Sequence, residues 1–374
     1  MAAMADESSR KTSALHRQYP DIEGCLPWLR LGDWPTPVER LASIEKHIGG
    51  DPVFLKRDDL SSQTYGGNKV RVLEVLLAEA VSRSAQRVWT FGAYGSNHVL
   101  ATSIFARCVG LHAGAVLYPQ PPSREAHDNL AALLGERPEL LVLPTWLAIP
   151  AAAAAIRLRF GQSYVIAPAG ATPRGALGFV AAGLELCFQI AAGEIPIPSQ
   201  IVVALGSGTS AAGLLAGLAL ARRLAIGLVS GGQAPELWAA PATPWPLASR
   251  AWVGFLGQKA LRLLGRITGE SVCGRISKAE ILQPLRIIGR SSRYGVATAA
   301  DVRSMQTFRD AGAPPLDATY SVKAATCLLS RQPKGSTLLW LTKNNRHLAI
   351  DRQTAMGLAP RRLRQWLELP TASR

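Results

Sequence analysis

The chain is short of several features that would have settled its class at once. The apolar runs at 148–156 and 214–221 stop well below the roughly 20 residues that a membrane-crossing helix needs. The opening MAAMADESSRKTS has no apolar core of the kind a secretory leader carries, so a cytoplasmic protein is expected. Its 5 cysteines, Cys25, Cys108, Cys187, Cys273 and Cys327, are odd in number, widely spaced and free of any CxxC pair. That excludes a disulfide framework and gives no zinc site, so no metal is expected. No internal repeat is visible, and acidic residues are outnumbered, 26 against 41 basic ones.

What is present points to a large folded core. A chain of 374 residues with 48% hydrophobic composition can bury a core of two lobes. The net charge of +15 raises the question of nucleic acid. Only 9 of the 41 basic residues are lysines, and the arginines are scattered instead of forming a stripe. A solvated basic surface accounts for this better than a nucleic-acid footprint, and the charge also suits anionic ligands.

The most informative stretch is VFLKRDDLSSQTYGGNKVRVLEVLLAEA, residues 53–80. An apolar strand over 53–56 is followed by turn chemistry over 61–67, and from Asn68 the apolar residues Leu73, Leu76, Leu77 and Ala80 fall at helical spacing. Lys69 then lies in the first helical turn, where the positive end of the helix dipole disfavours an ammonium group. Two readings stand side by side. One is a solvated lysine reaching away from the helix end; the other is an amine of lowered pKa, as Schiff-base formation with a carbonyl requires.

Two more strand, Gly-rich turn and helix units follow the same plan. RVWTF (87–91) leads through GAYGSN into a helix, and IVVAL (201–205) leads through GSGTSAAG into LLAGLAL. Such repetition implies a parallel sheet with crossover helices, hence an α/β fold. GSGTSAAG converges backbone N–H groups on one point suited to a phosphate, although an ordinary tight turn reads the same locally. It lacks the GK[ST] element of a Walker loop and the third glycine of GxGxxG. Ser96 and Asn97, in GAYGSN, read locally as an N-cap as readily as a ligand pair. Tyr294 and Tyr320, 26 residues apart, would each pass alone for core. Residues 233–263 hold Trp238, Trp245 and Trp252 among prolines and alanines, consistent with a lid, a subunit contact or a membrane-surface patch.

KRDDL followed by GGNKVR resembles the signature of the fold-type II pyridoxal-phosphate enzymes (tryptophan synthase beta-like), in the 1-aminocyclopropane-1-carboxylate deaminase and D-cysteine desulfhydrase family. The resemblance runs from about residue 31, in LGDWPTPVERL, to about residue 342. It implies two lobes of mostly parallel sheet with helices on both faces and pyridoxal 5'-phosphate between them. The expected division is a loose arm over 1–20, a large cofactor-binding domain over 21–74 and 181–374, and a small inserted domain over 75–180. Lys69 matches the lysine that carries the cofactor. Gly206, Ser207, Gly208, Thr209 and Ser210 match the phosphate cup, Asn97 the contact to the 3-hydroxyl, and Ser96 a substrate-facing position. Tyr294 and Tyr320 match two active-site tyrosines, able to transfer a proton or bind a carboxylate. Ser321 and Thr342 match positions against the cofactor.

This sequence departs from the pattern in three places. His98 stands where glutamine is usual. LTKNNR puts Lys343 and Asn344 where a Gly-rich turn follows the last strand. Ser321 replaces the glutamate of the deaminase branch, where the desulfhydrase branch has threonine. The resemblance thus implies a lyase or deaminase of a small amino acid, expected to be a homodimer without nucleic-acid or membrane partners. D-Cysteine desulfhydrase-like β-elimination is the first expectation. Ring opening of 1-aminocyclopropane-1-carboxylate is the alternative, and a catalytically impaired binding relative is a further one.

Overall fold

The computed structural model of the protein describes residues 13–22, 24–228, 234–290, 294–344, 348 and 352–371. Residues 1–12 of the expected arm, Gln233, residues 291–293, Asn345 and Arg346 lie outside these. Among the described residues the strands are β1 (Val38–Arg40), β2 (Val53–Arg57), β3 (Arg87–Ala93), β4 (His112–Tyr118), β5 (Glu139–Val142), β6 (Ser163–Val165), β7 (Gln200–Leu205), β8 (Glu236–Pro241), β9 (Leu285–Ile287) and β10 (Thr337–Leu341). The chain divides into two units, Met1–Val75 with Ala171–Asn345, and Leu76–Gly170 with Arg346–Arg374.

The first unit holds a 6-stranded sheet in the order β1-β2-β10-β7-β8-β9. Only β1 runs antiparallel to its neighbour; the other pairings are parallel. Its central strands are near-continuous apolar runs, as a sheet covered on both faces requires. Alternation along β10 shows how the covering works. Trp340 faces Phe179 of the Pro173–Ala191 helix at 6.4 Å between rings. Leu339 and Leu341 share the opposite cluster with Val322 and Leu328 of the Ser321–Arg331 helix.

Two helices on the Phe179 side touch backbone to backbone. A Cβ at Gly213 would lie 2.3 Å from the Phe179 Cβ, and one at Gly178 would lie 2.0 Å from the Arg71 carbonyl oxygen. The missing side chains therefore let the Lys69–Ser82 and Thr209–Arg223 helices press directly against Pro173–Ala191. That last helix has a mean hydropathy of 1.3 and the length to cross a bilayer, but 78% of its apolar stretch is buried in the protein. Its apolarity serves the core.

A set of buried charges ties the same elements together. Arg71 donates from Nε to Asp58 at 2.8 Å and from Nη1 to Glu185 at 2.9 Å. Lys56 reaches Glu185 at 2.6 Å and donates to the Thr36 carbonyl at 2.7 Å. All four charged side chains are buried. Burial opposes ionisation of Glu185, but the charges of Arg71 and Lys56 outweigh it and hold this carboxyl down at about 2.

The second unit has a 4-stranded, all-parallel sheet in the order β5-β4-β3-β6. Its core gathers Trp89, Phe91, Val116, Leu143 and Ile156. The Ile149–Arg159 helix, rich in alanine, packs there as a covering element.

The division differs from the expected one at its edges. The start of Pro173–Ala191 goes with the first unit, because Ala176, Phe179, Val180 and Gly183 of that helix pack closely on Gly213 and Gly217 of Thr209–Arg223. The C-terminal helix Arg361–Leu367 goes with the second. Its Trp366 donates to the Gln120 carbonyl at 2.9 Å and meets His127 edge-on at 4.7 Å. Nor is the expected arm loose from Ser13 onward. Ala14–Gln18 is a helix capped by the Ser13 hydroxyl, with Leu15 buried and the Arg17 guanidinium 4.2 Å from the Phe188 ring.

Arg71→Met should leave Asp58 and Glu185 buried without their shared cation. A loss of about 3–5 kcal/mol in urea unfolding is expected. A change below about 1 kcal/mol would show that the charge set contributes little.

Candidate active site

The backbone of the GGNK turn depends on its glycines. Gly67 sits at φ 105°, in the left-handed region, and a Cβ there would lie 3.0 Å from the Asn344 amide nitrogen. At Gly66 a Cβ would lie 2.1 Å from the Asp59 carbonyl oxygen. The turn is laced to its surroundings. Gly67 N–H donates to the Asp58 carbonyl at 2.7 Å, Asn68 N–H donates to the Thr342 carbonyl at 2.8 Å, and Gly67 forms an antiparallel bridge with Lys343. The helix then opens on Lys69 itself. Lys69 is half-buried at its surface, and the protein packed round it pushes its pKa down to about 8. Desolvation penalises the ammonium form, so the neutral amine is present in quantity near neutral pH.

The Asn68 side chain makes the next connection, donating from Nδ2 to Ser210 Oγ at 3.1 Å. Ser210 is the second residue of the Thr209–Arg223 helix, which follows the loop after β7. Gly208 precedes that helix at φ 83°, and Ser207 Oγ lies 2.9 Å from Thr209 Oγ1. A strand end, a left-handed glycine and a helix start bring successive N–H groups round a concave turn, which favours a dianion.

Gly206 lies against Tyr320, whose Cε1 would be 2.9 Å from a Cβ placed there. The Tyr320 hydroxyl is 3.0 Å from that of Tyr294. Tyr320 and Ser321 are fixed by a group the sequence reading passed over, the Asp317 carboxylate. It accepts N–H bonds from Thr319 at 3.0 Å, Tyr320 at 2.6 Å and Ser321 at 2.7 Å. The N-cap of the Ser321–Arg331 helix is Tyr320, so Asp317 acts from a turn earlier, and an Asp that bonds the amides following it is a turn signal that LDATYS contains. Ser321 and Thr342 are both buried. Lys343 is buried as well, and desolvation pushes its pKa down to about 7.

Lys69, the Gly206–Ser210 loop, Tyr294, Tyr320, Ser321 and Thr342 thus belong to one unit. They are joined by contacts at the carboxyl ends of β7 and β10, where open α/β sheets bind ligands. Ser96 and Asn97 belong to the second unit. There Ser96 caps the Asn97–Cys108 helix, accepting from Val99 N–H at 3.4 Å, and Asn97 is its first residue. The preceding loop is braced by Asn129 Nδ2, which donates to the Gly95 carbonyl at 3.0 Å, and by Trp366 edge-on to Tyr94 at 5.3 Å. His98 is buried, with Nε2 3.0 Å from Thr90 Oγ1 on β3.

The first-unit residues fit the pyridoxal 5'-phosphate that the resemblance implies. They supply an amine of lowered pKa, a loop whose N–H groups suit a phosphate, and hydroxyls on a helix start. Stripped protein should therefore couple added pyridoxal phosphate at Lys69 through the neutral amine. The coupling rate should rise with pH up to about 8 and then level off, because the reactive form is already dominant above its pKa. A rate that climbs tenfold per pH unit beyond pH ~9 would belong to an ordinary exposed lysine.

Comparison with known proteins gives the family. The family described as "Pyridoxal-phosphate dependent enzyme" matches residues 29–264. A putative 1-aminocyclopropane-1-carboxylate deaminase of Pyrococcus horikoshii is 38% identical over 216 residues, 56% of this chain and 62% of that protein. A D-cysteine desulfhydrase of Klebsiella pneumoniae is 37% identical over 203 residues, 51% of this chain and 60% of the relative. The chain thus spans under two thirds of both. The nocardicin C-9' epimerase of Nocardia uniformis is 31% identical over 337 residues, 86% of this chain and 94% of the relative. Among solved structures, an ACC deaminase homologue superposes with a TM-score of 0.67 at 27% identity, covering 91% of this chain and 98% of that one. The chain belongs to the pyridoxal-phosphate dependent enzyme family, with its fold-type II architecture.

Proposed function

We propose that the protein is a lyase that eliminates thiolate from D-cysteine or a similar small amino acid. Water enters the overall reaction, and a 2-keto acid, ammonia and sulfide leave. The observation that carries this reading is Ser321. A hydroxyl at the start of its helix offers the cofactor's pyridine nitrogen a neutral hydrogen bond, where a carboxylate would hold that nitrogen charged. Asp317, already bonded to the Ser321 amide at 2.7 Å, also sets a negative charge where a glutamate side chain would begin.

When bound, pyridoxal phosphate supplies the electron sink for carbanion chemistry. Lys69 would hold it, and its Nζ would take the Cα proton. The Gly206–Ser210 loop would fix the phosphate. The Tyr294 and Tyr320 hydroxyls lie 3.0 Å apart, and a phenol of the pair gives a proton at its oxygen. That proton serves the departing sulfur as the carbon–sulfur bond breaks. Thiolate is a good leaving group and asks little of the sink, whereas opening a carbon ring asks more.

Lys343 favours a second reading, epimerisation at Cα. It is a second buried amine of lowered pKa, and its backbone is bridged to Gly67, two residues before Lys69. One amine removing a proton and another returning one would invert the centre.

The readings separate in a single set of incubations in deuterated buffer. From D-cysteine, sulfide, keto acid and ammonia are expected in equal amounts. For 1-aminocyclopropane-1-carboxylate, kcat/KM should be at least about tenfold lower, or about 1.4 kcal/mol in barrier. Ser321→Glu should narrow that gap. Ring opening by the unmodified protein with no elimination from any D-amino acid would overturn the lyase reading. Deuterium at Cα with inversion and no sulfide would establish the epimerase instead.

A further inference from the structure

The tryptophan-rich stretch separates into residues with different surroundings. Trp238 lies on β8, its indole N–H donated to Glu236 at 2.8 Å. Trp245 is 81% exposed. Trp252, near the start of the Arg250–Thr268 helix, stacks on Phe255 with rings 5.7 Å apart. Its indole N–H donates to the Ser207 carbonyl oxygen at 2.8 Å. Its ring also backs Gly208, where a Cβ would lie 3.0 Å from Cδ1. Thr243 repeats the pattern one peptide earlier, with Oγ1 donating to the Gly206 carbonyl at 2.8 Å.

These bonds have a geometric consequence for the loop. In a trans peptide the C=O and the following N–H point in opposite directions within one rigid plane. Anchoring the Gly206 carbonyl turns the Ser207 N–H away from Thr243. Anchoring the Ser207 carbonyl turns the Gly208 N–H away from Trp252. Both N–H groups are then preset on the side of the loop opposite their anchors. Without the anchors the two peptides could rotate, and a left-handed glycine makes such rotation easy. Preset donors bind an anion without the entropy of ordering them.

We propose that Trp252 and Thr243 are positioning residues for cofactor phosphate, aiming the Ser207 and Gly208 N–H groups by holding the carbonyls behind them. The proposal rests on the reading that the Gly206–Ser210 loop takes that phosphate. Each acts through a loop carbonyl. This gives part of the tryptophan-rich segment a role other than a lid, a subunit contact or a membrane patch.

The test compares binding of pyridoxal phosphate with binding of pyridoxal, which has the same ring and aldehyde but no phosphate. Trp252→Phe keeps an aromatic ring and loses the indole N–H; Thr243→Val loses only the hydroxyl. Each should weaken pyridoxal phosphate binding roughly three- to tenfold, as expected for one lost hydrogen bond. Pyridoxal affinity and the melting midpoint of the stripped protein should stay unchanged, and the phosphorus resonance of the bound cofactor should move. Trp245→Phe should change none of these. If both variants keep the wild-type ratio of pyridoxal phosphate to pyridoxal affinity and the same phosphorus resonance, the inference is wrong. If the wild-type protein does not prefer pyridoxal phosphate to pyridoxal, the phosphate reading of the loop fails, and the inference with it.

Discussion

The buried guanidinium of Arg71 is the contact on which the active-site geometry depends. It binds Asp58 at the end of β2 and Glu185 in the middle of the Pro173–Ala191 helix, and Glu185 also holds Lys56. Arg71 is two residues beyond Lys69 on the same helix. A charge this deep tolerates only an arrangement in which every partner is in place, since an unpaired one costs several kcal/mol. The position of Lys69 at the start of that helix is therefore held by ion pairs that take no part in the chemistry. Close packing reinforces it, because Gly178 lets the backbone of Arg71 touch the neighbouring helix.

The site is built outward from that anchor by local hydrogen bonds. The GGNK turn is tied to Thr342, Asn68 ties it to Ser210, and Asp317 clamps the amides of Tyr320 and Ser321. Each tie is short and directional. Together they relate a lysine, a phosphate-type loop and a pair of phenols that are up to 251 residues apart in sequence. The lowered pKa of Lys69 follows from the same packing, because the protein that holds the amine also displaces the water that would solvate its ammonium form.

Much of this was legible in the sequence because it is written locally. The period of the apolar residues from Asn68 puts Lys69 in the first helical turn, and the run IVVAL marks β7. The glycines of GSGTSAAG announce a loop before a helix. What could not be read depends on pairing at long range. Nothing near Arg71 names Glu185, 114 residues away, and nothing near Ser207 names Trp252. The sequence leaves the tryptophans as a lid, a subunit contact or a membrane-surface patch, because an indole that packs behind a loop has the same sequence signature as one that faces solvent. The C-terminal helix is a similar case. Trp366 finds its partners Tyr94, Gln120 and His127 far back along the chain.

The central claim is that Lys69 is the amine on which the cofactor is held. Borohydride reduction of the purified yellow protein, followed by proteolysis and peptide mapping, tests it directly. A single pyridoxyl-modified peptide containing Lys69 is predicted. Modification of Lys343 or another lysine instead, or no bound cofactor at all, would contradict the account.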